Sequence, residues 1–314
     1  MRKYILALLF VSTISLSFAQ QLPQYSLHVM DQVVYNPAIV GSNSYPEIKL
    51  HHRSQWVGYS GAPMTSLISY HNSLNNRGTS GLGGYIYNDK YGIFNRTALN
   101  LAYAYHIPTK SFYVSFGLSG NIMQYSLNGS KIDLYNKTDA LIAEGMSDKT
   151  IKPDFSFGVF IYNQRFFIGG SVMQLLGPKM NLANATVPLT NHYYIAGGYS
   201  FQYDKKILVE PSILISSATV GPPAIDLNLK GIYRNSYIGG LTYRYGDAIS
   251  MMLGYRFKQY LFAYSYDIVV SPLRKTNSGS HEIIVAFHWP NSKETKPLYD
   301  LKGVNRGQIK KRLY

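Results

Sequence analysis

The chain has 314 residues and a formal net charge of +14, with 46% hydrophobic and 14% aromatic content; this is ample for one large folded unit and excludes intrinsic disorder. Cysteine is absent, which excludes disulfides, thiolate metal sites and lipid attachment through an N-terminal cysteine. The Lys and Arg residues are spread along the chain without a helix-turn-helix, zinc or RNA-binding signature, so no nucleic-acid partner is expected.

In chain order, Arg2 and Lys3 precede the apolar run YILALLFV, and Ser17-Phe18-Ala19 makes a small-x-small pattern before Gln20. This predicts a secretory signal peptide over 1–19, cleaved after Ala19. Its apolar run is shorter than the roughly 20 residues a spanning helix needs, and no later segment is a candidate. Residues 20–46, QQLPQYSLHVMDQVVYNPAIVGSNSYP, are too irregular for a strand. They read either as a plug or as a periplasmic lead-in.

From Glu47 to Trp289 the chain divides into about fourteen extended, alternating segments, an even number of the kind outer-membrane barrels use. The spans are 47–57, 63–73, 80–89, 95–107, 111–125, 154–163, 165–175, 191–203, 206–217, 223–233, 235–245, 247–257, 259–270 and 280–289. Most have the roughly 9–11 residues that a tilted strand needs to cross a bilayer. Side chains alternate faces along a strand. In NSYIGGLTYRY, residues 235–245, Tyr237, Gly239, Leu241, Tyr243 and Tyr245 share one face, and Ile238, Gly240, Thr242 and Arg244 share the other.

The same pattern recurs with Phe155, Phe157, Val159 and Ile161 opposite Ser156 and Gly158, and with Ile225, Leu227, Leu229 and Tyr233 opposite Asp226, Asn228 and Lys230. A soluble sandwich alternates in the same way, with its apolar face turned inward. The connections separate the two folds. Even-numbered junctions are brief, whereas 126–153, 176–190 and 271–279 are long and all odd-numbered. Short periplasmic turns and long external loops are the mark of an outer-membrane barrel. The expected fold is therefore an all-β transmembrane antiparallel barrel over 47–289, with Tyr237, Leu241 and Tyr243 facing lipid. The 29 tyrosines suit the aromatic girdles at the two interfaces.

Catalytic signals are thin. The glycines of GLGGY at 81–85 lack the helix and acidic residue of a dinucleotide site. His51 and His52 are consecutive strand positions on opposite faces, a poor grip for one metal, and no Ser-His-Asp set can be nominated. No enzymatic activity, cofactor or metal is expected. The informative residues are the inward charges. Arg53 and Gln55 on the first strand, Asp89 on the third, and then Lys230, Arg244, Arg256, Asp267 and Glu282 project inward. Lys90, beside Asp89, is grouped with them as a candidate partner-binding or lumen network. Such charges either pair and hold the barrel's shape, or line a channel or docking lumen. In the tail, 290–314, Lys302, Arg306, Lys310, Lys311 and Arg312 are candidate periplasmic contacts for an acidic partner or anionic surface. Solvation alone explains such a tail equally well.

Several motifs together carry a resemblance. NPAIVGS at 36–42, RSQWVGYSGAPMTSLISYH at 53–71, GLGGYIYNDKYG at 81–92, YSYDI at 264–268 and SHEIIVAFHW at 280–289 occur in order. Together they resemble the PorP/SprF family of type IX secretion outer-membrane proteins. The resemblance implies a non-enzymatic barrel of the secretion and gliding machinery that binds or anchors a secreted adhesin, through its C-terminal domain, or other secretion components. It also implies a link to a periplasmic peptidoglycan-binding lipoprotein. The alternative is a passive or solute-transporting channel in the outer-membrane lipid.

Overall fold

The computed structural model describes residues 22–43, 45–75, 78–129, 147–182, 185–219 and 221–289. The signal peptide predicted over 1–19, residues 130–146 of the long connection, and the basic tail with Lys302, Arg306, Lys310, Lys311 and Arg312 lie outside these. Among the described residues, fourteen antiparallel strands close into a barrel. They are β1 (Glu47–Ser54), β2 (Met64–Ser73), β3 (Ser80–Tyr91), β4 (Phe94–Pro108), β5 (Tyr113–Asn128), β6 (Ser147–Tyr162) and β7 (Phe166–Met173). The second half comprises β8 (His192–Tyr199, continued by Phe201–Gln202), β9 (Ile207–Ala218), β10 (Ala224–Tyr233), β11 (Tyr237–Arg244), β12 (Ala248–Phe257), β13 (Tyr260–Val269) and β14 (Ser280–His288).

Each strand pairs with its sequence neighbours, and β1 closes the ring on β14 with Glu47 opposite His288 and Ser54 opposite His281. Closure leaves no sheet edge, so every strand's backbone groups find partners without water. The alternation sorts the side chains as the sequence predicts. Tyr237, Leu241 and Tyr243 are 56%, 51% and 42% exposed, while Ile238, Thr242 and Arg244 are 4%, 1% and 5% exposed. The apolar face points outward, the arrangement a membrane requires and a soluble sandwich forbids.

Two strands are longer than the sequence pattern predicts. β6 begins at Ser147 rather than near Asp154, and β5 runs on to Asn128. Asp148, Lys149, Lys152 and Pro153 read locally as loop, but pairing of Asn128 with Ser147 through Asn121 with Asp154 extends the ladder beyond the length that crosses a bilayer. The connection between β7 and β8 also folds a short hairpin, Lys179–Leu182 with Ala185–Pro188. Its Met180 and Leu182, with Leu189, pack on Met123 and Tyr125 over one mouth of the barrel. This mouth is the extracellular one by the connection rule. The turns at 109–112, 163–165, 234–236 and 258–259 lie at the other end, with Pro46 and Trp289.

The core is the lumen itself, and residues 22–43 fill it. Three single-turn 3-10 helices, His28–Met30, Gln32–Val34 and Pro37–Ile39, fold this segment compactly. Tyr25 and Tyr35 pack among Tyr85, Tyr87, Tyr125 and Tyr194 in the extracellular half. Leu27, Val29 and Met30 meet Leu208, Ile232, Met252 and Ile284 on one wall nearer the periplasm. Val33, Ala38, Ile39 and Val40 meet Ala102, Ala104, Phe160 and Phe167 on the opposite wall. Two strand glycines make the approach possible. A Cβ on Gly81 would lie 2.0 Å from the Val40 carbonyl oxygen, and one on Gly117 would lie 2.2 Å from the Ala38 nitrogen.

Two outcomes follow from this architecture. Single cysteines at Thr186 and Arg274 should react with a membrane-impermeant maleimide on whole cells, and those at Gln164 and Gln259 only after permeabilisation; the reverse pattern would invert the assigned topology. Leu241→Arg, on the outer wall, should lower stability in a bilayer by about 2–4 kcal/mol if it lies near the midplane. A water-filled lumen would tolerate Thr242→Arg, but Thr242 is packed and its hydroxyl donates to Asn228 Oδ1 at 2.7 Å. Overpacking there should cost about 1–3 kcal/mol or more. Refolding titrations in lipid vesicles read both values.

Candidate functional site

The strand register brings three of the predicted charges together. Arg53 on β1 is the cross-strand partner of Glu282 on β14, and Glu282 faces Ser265, two residues from Asp267 on β13. Arg53 Nη1 donates to Glu282 Oε2 at 2.6 Å, and its Nη2 donates to Asp267 Oδ2 at 2.7 Å. His51 Nε2 lies 2.7 Å from Glu282 Oε1. All four side chains are almost wholly buried. The lumen segment completes the cluster. The backbone N–H groups of Ser26 and Leu27 donate to Glu282 at 2.8 and 2.7 Å, and the Ser26 hydroxyl donates to Asp267 at 2.7 Å while accepting from Arg53 at 3.0 Å. Glu282 thus receives four donors, about as many as a carboxylate can accept.

A second charged pair crosses from wall to plug. Lys49 Nζ lies 3.2 Å from Asp31 Oδ1 and 3.3 Å from Glu47 Oε2, and Ser69 donates to Asp31 Oδ2 at 2.6 Å. Asn43, where the segment turns into β1, donates to Glu47 at 3.0 Å. The backbone of the plug is met by wall side chains in the same way. His106 Nε2 sits 2.9 Å from the Val40 oxygen, Ser115 donates to the Ala38 oxygen at 2.7 Å, and Ser171 donates to the Tyr35 oxygen. In the other sense, Asn36 Nδ2 donates to the Val159 oxygen at 3.0 Å. An irregular segment without a ladder of its own needs such partners once it is buried.

The remaining predicted residues do not join one network. Arg244 makes a two-pronged contact with Asp226, at 3.0 and 3.1 Å, and Lys230 pairs with Glu210 at 2.8 Å. Asp89 holds Arg96 at 2.9 Å and accepts from Thr65, with Arg96 lying over the rings of Tyr87 and Tyr125. Arg256 donates to Asn235 Oδ1 at 2.6 Å and so fastens a periplasmic turn. Gln55 lies beyond the end of β1, where its N–H donates to the Pro63 oxygen. Lys90 is exposed on the face opposite Asp89, because it is the next residue along the strand.

The sequence reading missed Glu47, Lys49, Arg96, Glu210 and His51 as lumen partners. The signal was available for three of them: Glu47, Lys49 and His51 share a face with Arg53 by the same alternation. Ser26 and Asp31 had no such signal, because their segment has no period. Among the described residues no group of three or more His, Asp or Glu side chains is arranged to hold a metal ion. The chemistry on offer is recognition and retention of a polypeptide segment, through buried ion pairs and backbone donors.

A sequence model of the family described as type IX secretion system membrane protein PorP/SprF matches residues 17–287. Among solved structures, the Ralstonia pickettii toluene transporter TbuX is similar with a TM-score of 0.50 at 10% identity, over 83% of this chain and 92% of that one. Acinetobacter baumannii outer membrane protein Omp33 is similar with a TM-score of 0.49 at 8% identity, over 79% and 100%. At such identity the likeness to TbuX shows the barrel fold alone. No curated protein matches the chain.

Removing one member of a buried, hydrogen-bonded ion pair typically costs 3–5 kcal/mol, since the partner stays buried and uncompensated. Glu282→Gln should therefore loosen the lumen segment by about 3 kcal/mol, read as faster hydrogen exchange over residues 25–31 in the folded barrel. Arg256→Gln, at the periplasmic turn where Arg256 donates to Asn235, should leave that exchange unchanged. Equal effects of the two substitutions would contradict the assignment.

Proposed function

We propose, from the premise that this chain belongs to the PorP/SprF family of type IX secretion membrane proteins, that it serves the secretion machinery as a docking barrel in the outer membrane rather than as a conduit. The observation that carries this reading is the filled lumen. Residues 22–43 occupy it from the periplasmic mouth at Asn43 to the tyrosine cluster around Tyr25, and two sets of buried charges hold them there. A barrel closed in this way offers its partners two ends and an outer wall. It acts by binding, without catalysis.

The finer reading is that the extracellular end retains a secreted adhesin through its C-terminal domain, and that the periplasmic end meets secretion components and a peptidoglycan-binding lipoprotein. The extended β5–β6 ladder and the hairpin at 179–188 favour the extracellular end for a large exported partner, since both enlarge that end. The signal peptide over 1–19 and the basic contacts of the tail belong to this reading as well. A passive solute channel is the weaker alternative, because a solute would have to displace a segment buried against both walls.

Affinity capture of the full-length protein from native outer membranes tests the proposal. It should co-purify a secreted protein bearing a C-terminal sorting domain, and liposomes carrying the purified barrel should swell no faster in small sugars than empty liposomes. Capture of the barrel alone, together with rapid swelling, would restore the channel.

A further inference from the structure

The periplasmic rim of β8 to β14 is one-sided in charge. Its turns carry Lys205, Lys206, Arg234 and Lys258, all exposed. Their one acid, Asp204, uses Oδ1 to accept the N–H groups of Lys206 and Ile207 at 2.6 and 2.7 Å. The turns adjoin along the rim. The Arg234 N–H donates to the Lys206 oxygen at 2.7 Å, Arg256 N–H to the Ser236 oxygen at 2.8 Å, and His288 N–H to the Gln259 oxygen at 3.0 Å.

Two of these cations lie against rings of the outer face. The Arg234 guanidinium lies 5.2 Å from the centre of the Tyr233 ring, and Lys258 Nζ lies 5.3 Å from that of Phe257. Both rings belong to an outer aromatic belt in which Tyr233, Tyr237, Tyr255 and Phe257 touch in sequence, at 6.3, 5.2 and 6.5 Å, and Tyr260, Phe287 and Trp289 continue at 5.2 and 4.7 Å. Directly above the belt an apolar groove runs over Gly254, bordered by Tyr237, Leu253, Tyr255 and Phe262. The backbone supplies an independent sign. Arg234 and Lys258 have φ of 49° and 52°, a left-handed conformation that tight turns ordinarily fill with Gly, Asn or Asp. Long cations stand where turn chemistry alone favours another residue, which points to a role for their charge.

We propose that this wall is a binding site for an anionic glycerophospholipid of the inner leaflet, its phosphate held by Arg234 and Lys258 and an acyl chain lying in the groove over Gly254. Cations at the edge of an aromatic belt sit at headgroup depth, and among the described residues neither cation has an ion-pair partner within the chain. An acidic periplasmic protein is the competing occupant. The contact of both cations with exposed rings of the outer belt favours lipid.

Trp289 lies on the belt and the other tryptophan, Trp56, lies in the β1–β2 connection at the opposite end, so lipid-borne quenchers read the site in the full-length protein carrying Trp56→Phe. In phosphatidylcholine vesicles containing a small fraction of dibrominated phosphatidylglycerol, Trp289 quenching should exceed that from dibrominated phosphatidylcholine, with a relative affinity of about tenfold. Arg234→Gln with Lys258→Gln should bring the ratio to parity, whereas Lys110→Gln with Arg165→Gln, on distant turns, should preserve it. Retained heat-modifiable mobility on gels establishes that each variant is folded. Equal quenching by both lipids in the parent protein would overturn the proposal. So would a lipid preference that survives the double substitution, including a case in which that substitution instead releases a co-purified acidic protein.

Discussion

Hydrocarbon offers no hydrogen-bond partner, so a chain that crosses it in strands must close on itself and turn its apolar side chains outward. The pairing of β1 with β14 satisfies the first demand, and the outward apolar and aromatic side chains of the strands satisfy the second. That choice sends the polar half of the alternation inward, where Arg, Lys, Asp and Glu side chains would face one another across a lumen. Charges placed in such a space must find opposite charges or water. In this barrel they find each other and the N-terminal segment, and little room is left for water.

The plug is therefore part of the folded core. Its apolar side chains meet two opposite walls, and its polar groups complete ion pairs that the walls alone would leave short of partners. Glu282 illustrates the interdependence: two of its four donors come from the barrel and two from the plug backbone. A buried carboxylate of this kind is a weak source of net stability yet a strong source of registry, because no other placement of Ser26 and Leu27 supplies the same donors. The same reasoning explains why the inner charges form separate clusters. Wall pairs such as Lys230 with Glu210 or Arg96 with Asp89 are settled locally by neighbouring strands.

Much of the barrel was legible in the sequence, because a period of two survives in a strand with different surroundings on its two faces. Arg53, Arg244, Asp267 and Glu282 were found inside by that period alone. It failed at Lys149 to Pro153, where local composition reads as loop and pairing with β5 decides otherwise. The plug was not legible in detail. Tyr25, Ser26, Asp31 and Asn36 follow no period, and their positions depend on the fit of an irregular chain to strands pared down to glycine at Gly81, Gly117 and Gly158. In the sequence those glycines look like ordinary strand glycines. Lys90 marks the opposite failure: adjacency to Asp89 suggests the lumen, whereas adjacency in a strand places it outside.

The central claim is that residues 22–43 occupy the lumen of the folded barrel in its membrane. The natural absence of cysteine allows a direct measurement with one designed pair, Asn36→Cys with Gly158→Cys, because a Cβ at Gly158 would lie 2.0 Å from the Asn36 side chain. Oxidation of intact outer membranes should join the two cysteines within one chain nearly completely, protect both from a water-soluble maleimide, and leave the barrel's heat-modifiable mobility unchanged. Free reaction of both cysteines with the maleimide, without cross-linking in a folded barrel, would contradict the account.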